Sequence, residues 1–358
     1  MERFQVRTQV VSGTDSLSCL GEMDCQRLLI VADPFFVAQG WTNRILEAAK
    51  PRESRVFDKV SPDPTVELAA EGTKVLQEFA PDTVVALGGG STLDLAKAMV
   101  HFSGLEPRLV AIPTTSGSGS EVTNFAVLSH QGVKYPVVSD KLYPAVAVLE
   151  PGLLETLPKG LIADTGFDVL THALESYVAK NAGTVTKTLS REAFAIAYAQ
   201  LPLSYAGDKS VRERLHIAAC MAGMAFSQAG LGLCHAMAHV LGGEFHLPHG
   251  RLCGILLPAV VECNANFCSG AYGQLARSVG FFGSADTVAV RNLKNGLIRL
   301  RKQLGMPGSL REAGIDPRQI QLRQKELTEK ILADPCCESN PAEVMDYMVK
   351  RILEGVAR

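Results

Sequence analysis

The chain has no excess of either charge. Its 35 Lys and Arg against 37 Asp and Glu leave a formal net charge of −2, which gives no electrostatic basis for a nucleic acid or an anionic membrane as partner. No run approaches the roughly 18 consecutive apolar residues that a membrane span requires. The opening MERFQVRTQV lacks the apolar core of an export signal, so the expected location is the cytoplasm. Nine cysteines make an odd number, with no repeated CxxC and no zinc-finger spacing. That argues against a disulfide framework and for reduced, mostly buried thiols. Histidine is also scarce, with eight in 358 residues, yet His235, His239, His246 and His249 crowd into GLGLCHAMAHVLGGEFHLPHG.

Length exceeds what a single hydrophobic core usually supports, so two domains are expected. Up to about residue 150, β-branched runs alternate with helical periodicity. RLLIVAD (27–33), SRVFDKV (54–60), DTVVALGGG (82–90), RLVAIPTT (108–115) and AVAVLEP (145–151) read as strands. Helices are expected from 35 to 49, around Val66–Leu76, and over STLDLAKAMVHF. This alternation predicts a doubly wound, Rossmann-like parallel sheet with helices on both faces. Past Pro158 every segment has helical period, which predicts an all-α second domain. The breakers in PGLLETLPKG place the boundary near 152–160, giving an α/β domain at 1–157 and a helical domain at 158–358.

Two loops at strand ends carry glycines and hydroxyls. In LGGGSTLDLAK, Gly89 and Gly90 leave backbone N–H groups open to an anion at a helix N-terminus, although a tight turn alone explains them equally well. Ser91 is the expected N-cap, with Asp94 as its capping-box partner three residues on. PTTSGSGSEVT ends the next strand with a second hydroxyl-rich loop, and a pair of such loops suits a phosphate-bearing ligand. Asp33, ending the first strand, can accept from a ribose diol or simply cap the helix at Pro34.

Asp168 and His172 stand four apart in GFDVLTHALESY, as do His235 and His239, so each pair shares one helix face. Either pair alone reads as ordinary helix chemistry. Together with His249 after a Pro break, they supply a carboxylate and several imidazoles suited to Fe(II) or Zn(II).

The segments GGGSTLDLAKA, PTTSGSGSEVT, TGFDVLTHALESYV and GLGLCHAMAHVLGGEFHLPHG resemble, in order and spacing, the signature stretches of the iron-containing (group III) alcohol dehydrogenases. The resemblance runs from about Phe4 to Asn340. Within that family it is greatest to the 1-propanol and ethanol dehydrogenases of bacterial microcompartments. It implies an NAD-dependent oxidoreductase that interconverts a short-chain primary alcohol and its aldehyde, or a related polyol or lactaldehyde oxidoreductase. The metal ligands it implies are Asp168, His172, His235 and His249, with iron or zinc as the metal. His239 falls on the histidine beside the metal and is the candidate proton carrier. Pyrophosphate contacts fall on Gly89, Gly90 and Ser91, with Asp94 at the following helix start. Nicotinamide and ribose contacts fall on Thr114, Thr115, Ser118, Thr123, Phe125 and Lys134, and Asp33 favours NAD(H) over NADP(H).

His246 and Phe167 are candidates for the substrate pocket. Ser118 stands where Thr is commoner, Asp63 replaces a frequent Asn, and Arg251 occupies a usually small or apolar position. The resemblance also implies a homodimer, a cytoplasmic setting that includes the microcompartment interior, and partners among microcompartment enzymes or shell. A cyclase of the dehydroquinate-synthase type would want basic residues around the histidines, and few are there. A non-catalytic nucleotide- or metal-binding module is the reading from outside enzymes.

Overall fold

The computed structural model describes residues 2–130 and 133–358. The chain divides into two compact units. One is Gln5–Leu157; the other is Pro158–Arg358 together with the N-terminal residues through Phe4.

In chain order the first unit contains β1 (Gln9–Ser12), β2 (Arg27–Ala32), α1 (Pro34–Ala38), α2 (Trp41–Ala49), β3 (Glu53–Phe57) and α3 (Val66–Phe79). It continues with β4 (Thr83–Gly88), α4 (Gly90–Ser103), β5 (Arg108–Pro113), β6 (Phe125–His130), β7 (Val133–Val138) and β8 (Val146–Leu149). Six strands form one parallel sheet in the order β1-β8-β5-β4-β2-β3. The inner strands β8, β5, β4 and β2 are buried on both faces, which is why they read as unbroken apolar runs, while the edge strands β1 and β3 are largely exposed. Leu29, Val31, Val84 and Ala86 face one core, shared with Leu76 and Phe79 of α3 and Leu93 and Met99 of α4. Leu28, Ile30, Val85 and Leu87 face the other, with Ile45 of α2.

The chain runs from β2 outward to β3, then returns to lay β4 on the opposite side of β2. That reversal is a topological switch point, where open α/β sheets leave a crevice beyond the strand ends. Asp33 N bonds Leu87 O at 3.0 Å and Thr114 N bonds Gly88 O at 3.0 Å, so the loops after β2, β4 and β5 lie side by side there.

Several expectations need correction. The helix expected from 35 to 49 is two helices, because Gly40 adopts φ 78° between them. β1 and the antiparallel β6–β7 hairpin were not expected from the sequence. β1 has only four residues, and the hairpin carries Pro136 opposite Val127. Ser91 is not an N-cap. α4 starts one residue earlier, with Gly89 as cap, and Thr92 N and Leu93 N bond Gly89 O.

The second unit is helical, as expected: α5 (Lys159–Val178), α6 (Thr184–Ala206), α7 (Arg212–Ala229), α8 (Leu233–Phe245), α9 (His249–Ser278), α10 (Asp286–Gln303), α11 (Pro317–Leu322), α12 (Gln324–Leu332), α13 (Cys336–Ser339) and α14 (Asp346–Val356). α9 is long and apolar enough to cross a membrane by length and composition, but 61% of its apolar window is buried inside the protein, as in a core helix. All nine cysteines are free thiols.

Candidate active site

α5 lays Asp168, His172 and Glu175 along one buried face, at positions i, i+4 and i+7. α8 brings His235 to that face and α9 brings His249. Asp168 Oδ1 is the common centre: His249 Nε2 lies 3.5 Å away, His235 Nε2 3.6 Å and His172 Nε2 3.7 Å. Ligands of a tetrahedral site with bonds of about 2.1 Å stand roughly 3.4 Å apart. The observed spacings are therefore those of donors arranged around a small cation and not of direct hydrogen bonds. His235 Nε2 is buried with no hydrogen-bond partner, an atom aimed at something the protein itself does not provide.

Charge argues the same way. Burial raises the pKa of Asp168, but the imidazoles of His172, His249 and His235 outweigh it and hold the carboxyl well below its usual range. Burial depresses His235, yet Asp168 and Glu175 raise it to about 10. A pocket in which two carboxylates pull a fully buried imidazole toward its cation has the potential a divalent metal needs. The donor set, one carboxylate with imidazoles, fits iron or zinc.

Glu175 was not singled out from the sequence, and it organises the site. Its Oε2 lies 2.6 Å from His235 Nδ1, which fixes the ring so that Nε2 faces Asp168. The same carboxylate accepts from Gly232 N at 3.0 Å and Cys234 N at 2.6 Å. α8 begins after Gly232, which has no side chain to cap it, so Glu175 takes the unpaired N–H groups and meets the positive end of the helix. Asn340 accepts from Leu233 N at 3.1 Å and completes the cap. Cys253, one turn beyond His249, is a second addition. Its Sγ stands 3.6 Å from His249 Nε2 and 3.8 Å from Asp168 Oδ1. Asp168, His235, His249 and Cys253 each offer a ligand atom within 4.8 Å of the others.

The remaining candidates on these helices separate. His239 stacks on His249 at 5.3 Å between ring centroids, beside the cluster. His246 is exposed and closes α8 in the left-handed conformation, φ 54°, so its position is set by ending a helix. Phe167 is fully buried and packs against Gly254 of α9. Arg251 pairs with Asp164 through both nitrogens, Nη2–Oδ2 at 2.9 Å and Nε–Oδ1 at 3.3 Å, tying the start of α9 to α5 one turn before Asp168.

At the sheet's carboxyl edge, the two loops interlock. A Cβ built on Gly90 would lie 3.0 Å from Ser118 Cβ, and one on Gly89 would meet Thr115 Oγ1 at 3.5 Å. Beneath them sits Lys97, which carries no spacing signal in the sequence. It is buried, and its Nζ donates to Ser120 Oγ at 2.8 Å, Thr123 Oγ1 at 3.0 Å and Phe125 O at 3.0 Å. Burial lowers its pKa to about 8 against the pull of Asp94 and Glu121. Asp94 accepts from Ser120 Oγ at 2.6 Å and Val127 N at 3.0 Å, so its carboxylate anchors the second loop and caps nothing. Thr123 has no exposed surface, and its hydroxyl is committed to Lys97 and Ser120 O. Thr123 thereby holds the second loop together. Thr114 is almost as buried, while Thr115, Ser118 and Ser91 keep partial exposure. Lys134 on β7 pairs with Asp63 at 2.6 Å. Asp33 Oδ1 accepts from Phe35 N at 2.9 Å and caps α1.

The chain belongs to the iron-containing alcohol dehydrogenase family. Its residues 7–151 match the iron-containing alcohol dehydrogenase domain, and residues 162–357 match the C-terminal domain of the Fe-containing alcohol dehydrogenase family. It is 39% identical to the 1-propanol dehydrogenase of Salmonella typhimurium over 99% of both chains. It is 34% identical to an NADPH-dependent butanol dehydrogenase of Clostridium saccharobutylicum over 99% of this chain and 98% of that one. Among solved structures, the iron-containing alcohol dehydrogenase of Thermococcus thioreducens superposes with a TM-score of 0.91 at 33% identity, covering 99% of each chain. The alcohol dehydrogenase reading of the sequence and its fold class are borne out.

Proposed function

We propose that the protein interconverts a short-chain primary alcohol and its aldehyde with NAD(H), using a divalent metal held by Asp168, His172, His235 and His249. The observation that carries this reading is the buried, unpartnered His235 Nε2 facing Asp168 Oδ1 among two further imidazoles. A metal held there supplies Lewis acidity toward the substrate oxygen, and the nicotinamide supplies or accepts the hydride. Asp168 contributes the negative charge that retains the cation, and Glu175 fixes the tautomer of His235. His239, beside His249, takes the hydroxyl proton during alcohol oxidation and returns it during reduction. Gly89, Gly90 and Ser91 present the N-terminus of α4 to the pyrophosphate, and Thr115 and Ser118 line the same edge.

Family membership alone does not set the nucleotide, since the butanol dehydrogenase relative is named for NADPH. Asp33 supports NAD(H): only its Oδ1 is used in capping, leaving the other oxygen at the switch point. A 2′-phosphate there meets a like charge. Asp33→Ala is expected to shift the ratio of kcat/KM for NADP(H) over NAD(H) upward about tenfold, equivalent to ~1.4 kcal/mol. An unchanged ratio counts against the assignment. The family resemblance of the signature segments implies a homodimer working in the cytoplasm or inside a microcompartment, and that assignment is part of the proposal. The test of the substrate class is a panel of C2–C4 aldehydes and glycerol with both nucleotides. The highest kcat/KM is expected for propanal or acetaldehyde with NADH, and a preference for glycerol would contradict it.

A further inference from the structure

Asp334 has a chemical relation to the site that sequence distance conceals. It lies just beyond α12, 95 residues from His239, and its Oδ2 sits 3.0 Å from His239 Nδ1. Its other oxygen accepts from Cys336 N at 2.8 Å, so the carboxylate is fixed by the turn into α13 before it meets the imidazole. Its side chain is 12% exposed. We propose that Asp334 is a positioning residue that fixes the tautomer and ring orientation of His239. This rests on the reading of His239 as the group that exchanges the substrate hydroxyl proton.

An ionised carboxylate only accepts, so the proton of the neutral imidazole must sit on Nδ1 and the lone pair on Nε2. Without Asp334 either tautomer is available, and the ring is free to turn away from His249, on which it stacks. His239, Asp334 and Cys336 also form a ligand set of the kind that binds zinc. A 3.0 Å separation, however, is a hydrogen bond and is closer than two ligands of one tetrahedral ion usually stand. The geometry therefore favours a dyad over a second metal site.

Asp334→Asn is the sharpest probe, since it keeps the shape and the Cys336 N–H acceptor while an amide N–H can face Nδ1 and invert the tautomer. In zinc-loaded holoenzyme we expect kcat for alcohol oxidation to fall about 100-fold or more, with KM for the alcohol within about threefold. Metal content should stay at one ion per chain. His239→Gln should fall comparably, and adding Asp334→Asn to it should cost nothing further. Asp334→Glu, which restores an acceptor, should recover part of the rate. The ¹⁵N spectrum of labelled imidazoles should show His239 protonated on Nδ1 in the parent and not in Asp334→Asn. An unchanged ¹⁵N pattern, additive losses in the double variant, or two tightly held metals per chain overturns the proposal. If His239→Gln keeps full rate, the proton role of His239 fails. The ¹⁵N pattern then still decides whether Asp334 sets its tautomer.

Discussion

Asp168→Asn is expected to leave a folded protein that holds metal at least 100-fold more weakly and turns over at least 1000-fold more slowly. The expectation follows from position. Asp168 Oδ1 lies within 3.7 Å of all three clustered Nε2 atoms, and it carries the charge that makes the pocket attract a cation. The amide keeps the volume, so packing of α5 is preserved while the charge is removed. It also leaves His235 with Glu175 as its sole carboxylate partner. Metal content by atomic emission after dialysis, read beside the thermal midpoint, separates the two effects. A variant with wild-type metal content and rate would contradict the site.

Gly250→Ala should damage the same site through the backbone. A Cβ on Gly250 would fall 1.9 Å from the carbonyl oxygen of Asp164 and 2.5 Å from its carbon. Those are main-chain atoms of α5 and cannot rotate aside, so the helices must move apart. The close approach is also what lets Arg251 reach Asp164 and His249 reach Asp168. The expected cost is about 3 kcal/mol or more in stability, with loss of most bound metal. Denaturant titration and metal analysis check both. Gly89→Ala is the matched control, because its Cβ meets only Thr115 side-chain atoms at 3.5 Å, an ordinary contact. Gly250→Ala protein with parental stability and full metal would show that the contact does not set the geometry.

What the sequence disclosed of this site follows from how its residues are spaced. Asp168 with His172, and His235 with His239, are visible because four residues make one helical turn. Glu175 continues the same face, but a glutamate on a helix ordinarily reads as solvated, and only its burial reveals that it caps α8. Cys253 sits one turn past His249 and passes as a small core residue. Asp334 has no spacing signal at all, since its partner is on another helix.

On the sheet, the long apolar strands were legible because both of their faces are buried. The four-residue β1 and the Pro-containing hairpin were too short or too interrupted to show a period. Ser91 has the chemistry of an N-cap, yet the turn out of β4 starts the helix at Gly90, and Asp94 is drawn to Ser120 and Val127 instead. Lys97 looked like one more lysine on a helix. It is buried because the second loop folds its hydroxyls around the ammonium.

The most direct measurement of the central claim is NADH-linked reduction of propanal by protein stripped of metal with a chelator, then reloaded. The stripped protein should be inactive, and stoichiometric Fe(II) or Zn(II) should restore turnover in proportion to the metal bound. Full activity in protein shown to contain no metal would contradict the account.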